Sequence, residues 1–283
     1  MTKDLSDLPE EVYSILEKGQ EPSEENLDIL SQNIREVLET RLKAPLTPRK
    51  PSLRMSSIGK PERQMYYEIH QAPAEELDGK TLLKFLYGDV IEEMLLFLVR
   101  EAGYEVTDQQ KEVDLDGIKG HIDCKINGTL LDVKSASPYA FQKFKQGTLR
   151  ENDAFGYYGQ LSGYVEAEGG GEGGWLAMDK VSGELALLLE SSDMLEFEQP
   201  RALIQNQREA VAKDSPPPRC YDAVPDGKSG NMALPVGCSY CKFKEHCWKD
   251  ANGGKGLRTF FYSNKPKFLT KVVREPKVPE KVY

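Results

Sequence analysis

GHIDCKINGTLLDVK, residues 120–134, is the stretch of the chain that decides the fold. Asn127 and Gly128 are flanked by runs in which apolar and polar residues alternate, the strongest short-range signal of a β-hairpin with a two-residue turn. Because successive side chains of a strand point to opposite faces, one face of this hairpin is apolar. That face carries Ile122, Cys124, Ile126, Leu131 and Val133. The sequence therefore predicts a hairpin that packs on a core through one face.

The other face of the predicted hairpin concentrates charge. The turn sets a register in which Asp123 lies opposite Asp132 and His121 lies opposite Lys134. Opposed carboxylates repel each other, with Cβ atoms about 4.5–5.5 Å apart. A divalent cation removes that conflict, and oxygen ligands suit Mg²⁺ or Mn²⁺. Lys134 is placed to orient or deprotonate a water, or to stabilise negative charge. A solvated hairpin face with incidental charges is the alternative.

A strongly apolar helix is predicted over residues 81–102. Glu92 lies on a face that it shares with Phe85, Gly88, Leu95, Leu96 and Val99. A carboxylate within an apolar stripe is rare unless it is paired or bound to a metal, so Glu92 is a third candidate ligand. The neighbouring Glu93 projects with Asp89 and Arg100, and we expect it to lie on the surface.

The remaining patterns place further helices and strands around the hairpin. We expect helices over 26–42, over 138–167 with a break near Gly147, and over 193–213; strands are expected over 103–106, 110–115, 118–126, 129–135, 175–178 and 184–190. The segments then divide into an acidic helical leader and linker (1–51), a core (52–214), a cysteine segment (215–250) and a basic C-terminal tail (251–283). Residues 1–25 look flexible or loosely docked.

Composition restricts the class of protein. The chain has 283 residues, 29% of them charged, and its mean hydropathy is −0.55, values typical of a soluble globular protein. It has no apolar run near the ~20 residues that span a bilayer and no signal-peptide pattern, so we expect a cytoplasmic protein without a membrane partner. The net charge of −9 argues against a broadly basic DNA-binding surface but permits a local basic patch.

Four cysteines crowd the C-terminal third of the chain. They are Cys220, Cys238, Cys241 and Cys247. Disulfides are rare in the cytosol, and three cysteines within ten residues there need another reason. Four thiolates bind Zn²⁺ or a [4Fe–4S] cluster; His246 is a substitute ligand, although its adjacency to Cys247 makes joint binding awkward. Cys124, on the apolar face of the hairpin, is expected to be a small buried hydrophobe.

Taken in chain order, four short motifs resemble those of the PD-(D/E)xK nuclease superfamily. They are Gly88-x3-Glu92, Gly120-x2-Asp123, Asp132-Val133-Lys134 and Gln160-x3-Tyr164. The likeness is greatest to the RecB-like branch, which includes CRISPR-adaptation nucleases, helicase-associated nucleases and phage recombination exonucleases, and it covers about residues 52–250. It implies an α/β fold with a restriction-endonuclease-like core, in which helices flank a central mixed β-sheet, and a small C-terminal cysteine-cluster subdomain.

The resemblance also implies roles for individual residues. Glu92, Asp123 and Asp132 would bind Mg²⁺ or Mn²⁺ together with the carbonyl of Val133, and Lys134 would be the catalytic lysine. Gln160 and Tyr164 resemble the motif that positions substrate and lysine, with core packing as the alternative for Tyr164. His121 has no counterpart in the family pattern.

The cysteine spacing resembles the iron–sulfur closure of RecB-like nucleases, with one departure. In those proteins the first ligand lies upstream in a Cys-Pro-Arg-like motif, whereas the matching segment here, residues 60–64, reads KPERQ and has no cysteine. Cys220 would have to supply the fourth ligand. An iron–sulfur cluster is favoured, and zinc stays the alternative. Arg63 and Gln64 of this segment line the DNA path in relatives; an ordinary helix start is the other interpretation.

A second basic segment is a candidate for binding phosphates and stacking bases. Lys143, Lys145 and Arg150 alternate with Phe141 and Phe144, a combination used by single-strand binding surfaces. A solvated helix face is the alternative.

The function implied by the resemblance is that of a metal-dependent DNA exonuclease. It would act on single strands or duplex ends in recombination, replication or repair, with a phage origin and a recombination or replication protein partner as further expectations. A non-catalytic binding module on a nuclease fold and a structure-specific endonuclease with the same site are the alternatives.

Overall fold

The computed structural model describes residues 3–46, 50–263 and 265–281. Its α-helices are α1 (Leu8–Lys18), α2 (Glu24–Lys43), α3 (Glu62–Ile69), α4 (Gly79–Glu101), α5 (Pro138–Lys145), α6 (Tyr157–Ala167), α7 (Ser192–Glu196), α8 (Pro200–Val211), α9 (Val236–Ser239), α10 (Lys244–Cys247) and α11 (Ala251–Gly254). Within these described ranges, no helix combines the length and the apolar character needed to cross a membrane.

The strands complete the list of elements. They are β1 (Val106–Thr107), β2 (Glu112–Leu115), β3 (Ile118–His121), β4 (Cys124–Ile126), β5 (Thr129–Ala136), β6 (Gly173–Asp179), β7 (Leu185–Glu190), β8 (Val224–Pro225), β9 (Met232–Ala233), β10 (Arg258–Tyr262) and β11 (Lys265–Lys271). The chain folds as two compact units. Unit 1 comprises Met1–Lys50, Arg54–Gly59 and Leu77–Ile204; unit 2 comprises Pro51–Leu53, Lys60–Glu76 and Gln205–Tyr283.

Unit 1 is built on a five-stranded mixed sheet. The strand order is β1-β4-β5-β6-β7; β5 and β6 run parallel, and the other neighbours are antiparallel. Helices α1, α4, α5 and α6 pack against it. The predicted α/β class, a central mixed sheet flanked by helices, is confirmed.

One face of this sheet is covered by α1 and α4. Leu95, Leu96 and Val99 of α4 form a buried cluster with Leu131 and Val133 of β5. Each such side chain contributes roughly 1.5–3 kcal/mol when it is fully buried. Two residues of α1, Leu8 and Val12, lie in the same cluster and are 0% and 2% exposed. The N-terminal segment expected to be flexible therefore supplies part of the core.

The hairpin forms with the predicted turn. Asn127 and Gly128 both have left-handed backbones, with φ of 49° and 86°, as a two-residue hairpin turn requires. Cys124 pairs with Leu131 and Ile126 with Thr129, so this part of the predicted register is confirmed. The pairing of β4 with β5 begins only at Cys124.

Beyond Cys124 the predicted register is wrong. His121 ends β3, which pairs with β2 in a separate two-stranded sheet, and lies opposite Glu112 rather than Lys134. The chain leaves the β5 ladder because the side chain of Asp123 replaces a strand partner: its Oδ2 accepts the Val133 amide N–H over 2.8 Å. The expected single strand over 118–126 is thus two strands with a break at Ile122 and Asp123.

The helix expected over 193–213 is also divided. Gln199 has a left-handed backbone, with φ of 49°, and separates α7 from α8. Pro200 is the first residue of α8, where its missing N–H would have no helical partner in any case.

Unit 2 has its own small sheet and core. The strand order is β10-β11-β9-β8, all antiparallel. Trp248, Leu257 and Phe268 are buried together. Residues 251–283, expected to be a basic tail, contain both β10 and β11.

Candidate functional site

Asp132 and Lys134 lie on the same face of β5. Asp132 is 2% exposed, and Lys134 Nζ lies 2.6 Å from its Oδ2 atom. Gln160 of α6 donates to the other oxygen, Oδ1, over 3.3 Å. Burial by itself would lower the pKa of Lys134, but the carboxylates of Asp132 and Asp123 raise it above its ordinary value. Lys134 is therefore a cation held against buried acids.

Asp123 is the residue that immediately precedes β4, and its carboxyl group lies in this site. Its bond from the Val133 amide fixes the carboxyl group beside β5. Burial, followed by the neighbouring charge of Asp132, raises the pKa of Asp123 to about 7. Because the strand breaks at Asp123, this residue is not a backbone partner of β5. The bond between its side chain and the Val133 amide places it near Asp132 instead.

Glu92 reaches the same group from α4. Burial, followed by the charges of Asp123 and Glu93, raises the pKa of Glu92 to about 9. Gly88, one turn earlier on the helix, has no side chain where a Cβ atom would lie 3.2 Å from Ser135 Oγ. The absence of that side chain lets α4 pass close to β5 and so brings Glu92 near the aspartates.

The donor chemistry of Glu92, Asp123 and Asp132 fits a hard divalent cation. Carboxylates that repel each other in a buried site are stabilised by such an ion, which prefers oxygen ligands. Within the described part of the chain, the side chains do not form a group of three or more His, Cys, Asp or Glu residues that could hold a metal ion as they stand. Lys134 takes one oxygen of Asp132, and the Val133 amide takes one oxygen of Asp123.

Glu93 is buried, which corrects the expectation that it lies on the surface. It is 5% exposed, and its Oε2 accepts hydrogen bonds from Asn33 over 2.9 Å and from Gln109 over 2.8 Å. Helix α2, which carries Asn33, covers this side of α4 and supplies the partner that sequence periodicity did not reveal. Glu92, by contrast, is half-buried.

Tyr164 stands where the site meets the core. It is 3% exposed, and its hydroxyl accepts a hydrogen bond from Gln160 over 3.5 Å. Burial, then the charges of Asp132 and Asp123, raise the pKa of Tyr164 above its ordinary value. A Cβ atom at Gly120 would lie 2.7 Å from Tyr164 Cε1, so this glycine permits the approach of the ring. Tyr164 therefore both packs in the core and faces the acids.

The segment around Lys143 and Lys145 does not have the predicted stacking surface. Phe141 and Phe144 are 0% and 3% exposed, because they form the inward face of α5, so their rings cannot stack on bases. Lys145 pairs with Glu184, and Lys143 lies over the ring of Tyr139, 5.5 Å from its centroid. The predicted binding of phosphates by Lys143 and Lys145 stays a prediction.

The four C-terminal cysteines line one cavity in unit 2, although they are separated by up to 27 positions in the chain. Burial, together with the other three sulfurs of the group, raises the pKa of Cys238 to about 12. His246, the substitute ligand, packs edge-on against Tyr67, with ring centroids 5.0 Å apart.

Each of the four sulfurs receives an N–H donor. Arg63 Nε donates to Cys247 Sγ over 3.2 Å, and the backbone amides of Arg63 and Gln64 donate to Cys220. The indole of Trp248 donates to Cys238, and the amide of Phe243 donates to Cys241. Such donors favour the negatively charged thiolate. Arg63 and Gln64, expected on a DNA path, lie at this cavity.

Two residues beside the site had no signal in the sequence. Gln109 and Gln110 lie in the connection between β1 and β2, and Gln110 Nε2 donates to Glu92 Oε1 over 3.0 Å. Polar residues in a loop are ordinary, so no pattern could distinguish them. Only the positions of α4 and of this loop reveal their contact.

No protein-family model matches this sequence, and no curated protein matches it. Three similar solved structures are the protein SSO0001 (TM-score 0.43, 15% identity, 76% of this chain and 94% of that one), an alkaline exonuclease, LHK-Exo, from Laribacter hongkongensis (0.40, 13%, 58% and 91%), and a phage-related exonuclease from Haemophilus somnus 129PT (0.41, 13%, 59% and 98%). At such low identities and TM-scores, the function has to be decided by the residues of the site.

Proposed function

We propose that this protein is a metal-dependent nuclease that hydrolyses phosphodiester bonds of DNA. One observation carries the proposal: Glu92, Asp123 and Asp132 come from three separate segments, and their charges act on one another beside Lys134. Burial raises the pKa of Glu92 and of Asp123 there. The side chains of a solvated hairpin face would be exposed, whereas Asp132 is 2% exposed. Clustered buried acids with a single neighbouring cation are destabilising, so their presence favours a functional explanation.

The proposed ligands are Glu92, Asp123, Asp132 and the carbonyl of Val133, and the proposed ion is Mg²⁺ or Mn²⁺. When bound, such an ion makes water a stronger nucleophile and offsets negative charge on a phosphate. This role explains why three acids would be kept in a mostly buried place.

Lys134 would act as a fixed positive charge. Its raised pKa keeps the ammonium protonated, so it would orient water and stabilise charge on a phosphate oxygen rather than remove a proton. The side-chain amide of Gln160 would fix the orientation of Asp132 by donating to its Oδ1 atom, and that of Tyr164 by donating to its hydroxyl. These roles use polar contacts that are already present around the acids.

We further propose that the substrate is DNA, cut from single strands or duplex ends during recombination, replication or repair. The order and spacing of the four motifs, which resemble those of DNA nucleases, support this substrate. The acids and the lysine are present together, which favours an active enzyme over a non-catalytic binding module. A structure-specific endonuclease would use the same site and differ in its products.

For unit 2 we propose a [4Fe–4S] cluster held by Cys220, Cys238, Cys241 and Cys247. The shared cavity and the N–H donor at each sulfur fit cysteines that become thiolates when a metal binds, while burial raises the pKa of the metal-free thiols of Cys220, Cys238 and Cys241. Zinc, the alternative, needs four sulfurs at about 2.3 Å from one point, whereas a cluster binds its cysteines at four separate iron corners. The Cys238-x2-Cys241-x5-Cys247 spacing, which resembles the iron–sulfur closure of RecB-like nucleases, favours the cluster.

End-labelled single- and double-stranded DNA, incubated with Mg²⁺ or Mn²⁺, tests the nuclease. Wild type should cleave, Asp132→Ala should not, and His121→Ala, which changes an exposed residue of β3, should cleave like wild type. A ladder of short products from one end would indicate an exonuclease, and internal cuts would indicate an endonuclease. DNA binding without cleavage by the folded, metal-replete protein would overturn the proposal in favour of a binding module.

A further inference from the structure

Gln110 has an unusual backbone in the connection between β1 and β2. Its φ is 54°, and Asp108, two residues earlier, also has a φ of 54°. The left-handed conformation is uncommon for residues other than glycine, asparagine and aspartate, and glycine adopts it freely. Gln199 adopts the same conformation between α7 and α8, so the backbone alone does not assign a role to Gln110. The contacts that hold Gln110 therefore indicate its purpose.

Those contacts join two of the proposed metal ligands. The backbone N–H of Gln110 donates to the carbonyl of Asp123 over 3.2 Å, and its side-chain Nε2 donates to Glu92 Oε1 over 3.0 Å. The next residue, Lys111, continues the attachment, because its carbonyl accepts the Ile122 N–H over 3.1 Å. One residue thus links the carboxylate on α4 to the segment that carries Asp123.

The preceding residue holds the neighbouring acid. Gln109 Nε2 donates to both oxygens of Glu93, over 3.0 and 2.8 Å, and Gln109 Oε1 accepts from Arg100 over 2.7 Å. Consecutive side chains of an extended segment point to opposite sides. In a regular extended segment, Gln109 and Gln110 would therefore not both donate hydrogen bonds to Glu93 and Glu92 on the same helix. The left-handed backbone of Gln110 turns the chain so that both side chains reach α4.

We propose that Gln110 is a positioning residue that holds the carboxylate of Glu92 in the orientation in which it binds the divalent ion. A free glutamate side chain samples several rotamers, and a carboxylate that is already fixed loses less conformational freedom when an ion binds. Partners that orient metal ligands in this way commonly affect metal affinity by about 10–100-fold. The proposal rests on the proposed function, because it requires Glu92 to be a ligand.

Replacement of Gln110 by glycine separates this role from a purely structural one. Gln110→Gly removes the carboxamide and relieves the left-handed backbone, so the thermal midpoint of the metal-free protein should stay the same or rise. The affinity for Mn²⁺, measured by calorimetry or by the electron paramagnetic resonance of free Mn²⁺, should fall by about 10-fold or more. Gln110→Asn, which tolerates the same backbone but has a shorter side chain, should behave in the same way.

Asp108→Gly is the matched control. Asp108 has the same φ in the same loop, but its side chain pairs with Lys125 over 3.3 Å and Lys111 over 3.5 Å. This variant should bind Mn²⁺ like wild type. An equal loss of affinity in Asp108→Gly would show that loop distortion, not the carboxamide, is responsible, and would overturn the proposal.

The two proposals fail in different ways. If wild type binds Mn²⁺ and both Gln110 variants bind it equally well, Gln110 is not a positioning residue, and the proposed function is untouched. If wild type itself binds no Mn²⁺ and cleaves no DNA, the metal-dependent nuclease is wrong, and the role of Gln110 falls with it.

Discussion

Lys134 Nζ lies 2.6 Å from Asp132 Oδ2, so an ammonium group already neutralises one of the three clustered acids. The lysine and a divalent ion would share the carboxylate of Asp132. Asp132 and Asp123 raise the pKa of Lys134, so the lysine stays charged and competes with the ion. We therefore expect its removal to have opposite effects on ion binding and on cleavage.

Lys134→Met is expected to separate binding from chemistry. The Mn²⁺ affinity should be unchanged or higher, because a competing cation is lost, while DNA cleavage falls by about 10²-fold or more, as is common when a charge-stabilising group is removed. Calorimetry and single-turnover cleavage measure the two quantities. Cleavage at the wild-type rate would show that Lys134 has no catalytic part.

The stability of the metal-free protein should fall as the pH rises. Unfolded Glu92 and Asp123 lose their protons near the ordinary values of 4.5 and 3.8, whereas the folded protein keeps them up to about 9 and about 7. The folded state therefore binds more protons across this window, and its free energy of unfolding decreases from about pH 4 to about pH 9. Thermal midpoints recorded with a chelator across this range should decline.

Glu92→Gln isolates the contribution of one acid. At pH 8 this variant should melt higher than wild type in chelator, by at least the ~2–4 °C that corresponds to about 1 kcal/mol in a chain of this size. Glu17→Gln, an exposed position on α1, should leave the midpoint unchanged. A pH-independent midpoint in wild type, or no gain in Glu92→Gln, would contradict the buried-acid account.

Gly120→Ala tests the close packing beside the site. The added Cβ would lie 2.5 Å from Met55 Cβ and 2.7 Å from Tyr164 Cε1, and overpacking of this kind commonly destabilises by about 1–3 kcal/mol. Urea unfolding should show the loss. In Gly79→Ala, at the start of α4, the new Cβ meets no atom within 4 Å, and stability should be equal or greater. Equal stability of both variants would show that β3 and α6 can separate freely.

The metal content of unit 2 should depend on each clustered cysteine. Protein purified without oxygen should carry about four iron atoms per chain, and Cys238→Ser should carry fewer. Cys124→Ala, which changes the buried cysteine of unit 1, should retain the wild-type content. Elemental analysis distinguishes the outcomes: one zinc per chain would identify the alternative metal, and no metal in either preparation would contradict both assignments.

Local patterns predicted the elements better than they predicted the contacts between them. Asn127 and Gly128 specify their turn through backbone preference alone, and the alternation around them fixes the pairing of Cys124 with Leu131. The break at Asp123 could not be foreseen, because it depends on a bond between its side chain and a backbone amide of the opposite strand.

Sequence periodicity does not predict the burial of a side chain whose partner comes from a distant segment. Glu93 looked exposed because helical periodicity ignores Asn33 and Gln109, which come from α2 and from a loop. Phe141 and Phe144 looked available for stacking because alternation with lysines does not show which side of α5 meets the sheet. The three motif acids, Glu92, Asp123 and Asp132, are recognised from residue type and order, but only the fold shows that they converge.

Each compact unit carries one of the two tryptophans of the chain. Trp175 is fully buried and lies beside Asp132 in the β5–β6 ladder, whereas the indole of Trp248 bonds to Cys238. Intrinsic fluorescence can therefore report on the units separately. In Trp175→Phe the emission comes from the cysteine cavity alone, where a cluster that absorbs visible light would quench it. In Trp248→Phe the emission comes from β6, the neighbour of the strand that carries Asp132, so paramagnetic Mn²⁺ bound at the acids would dim it.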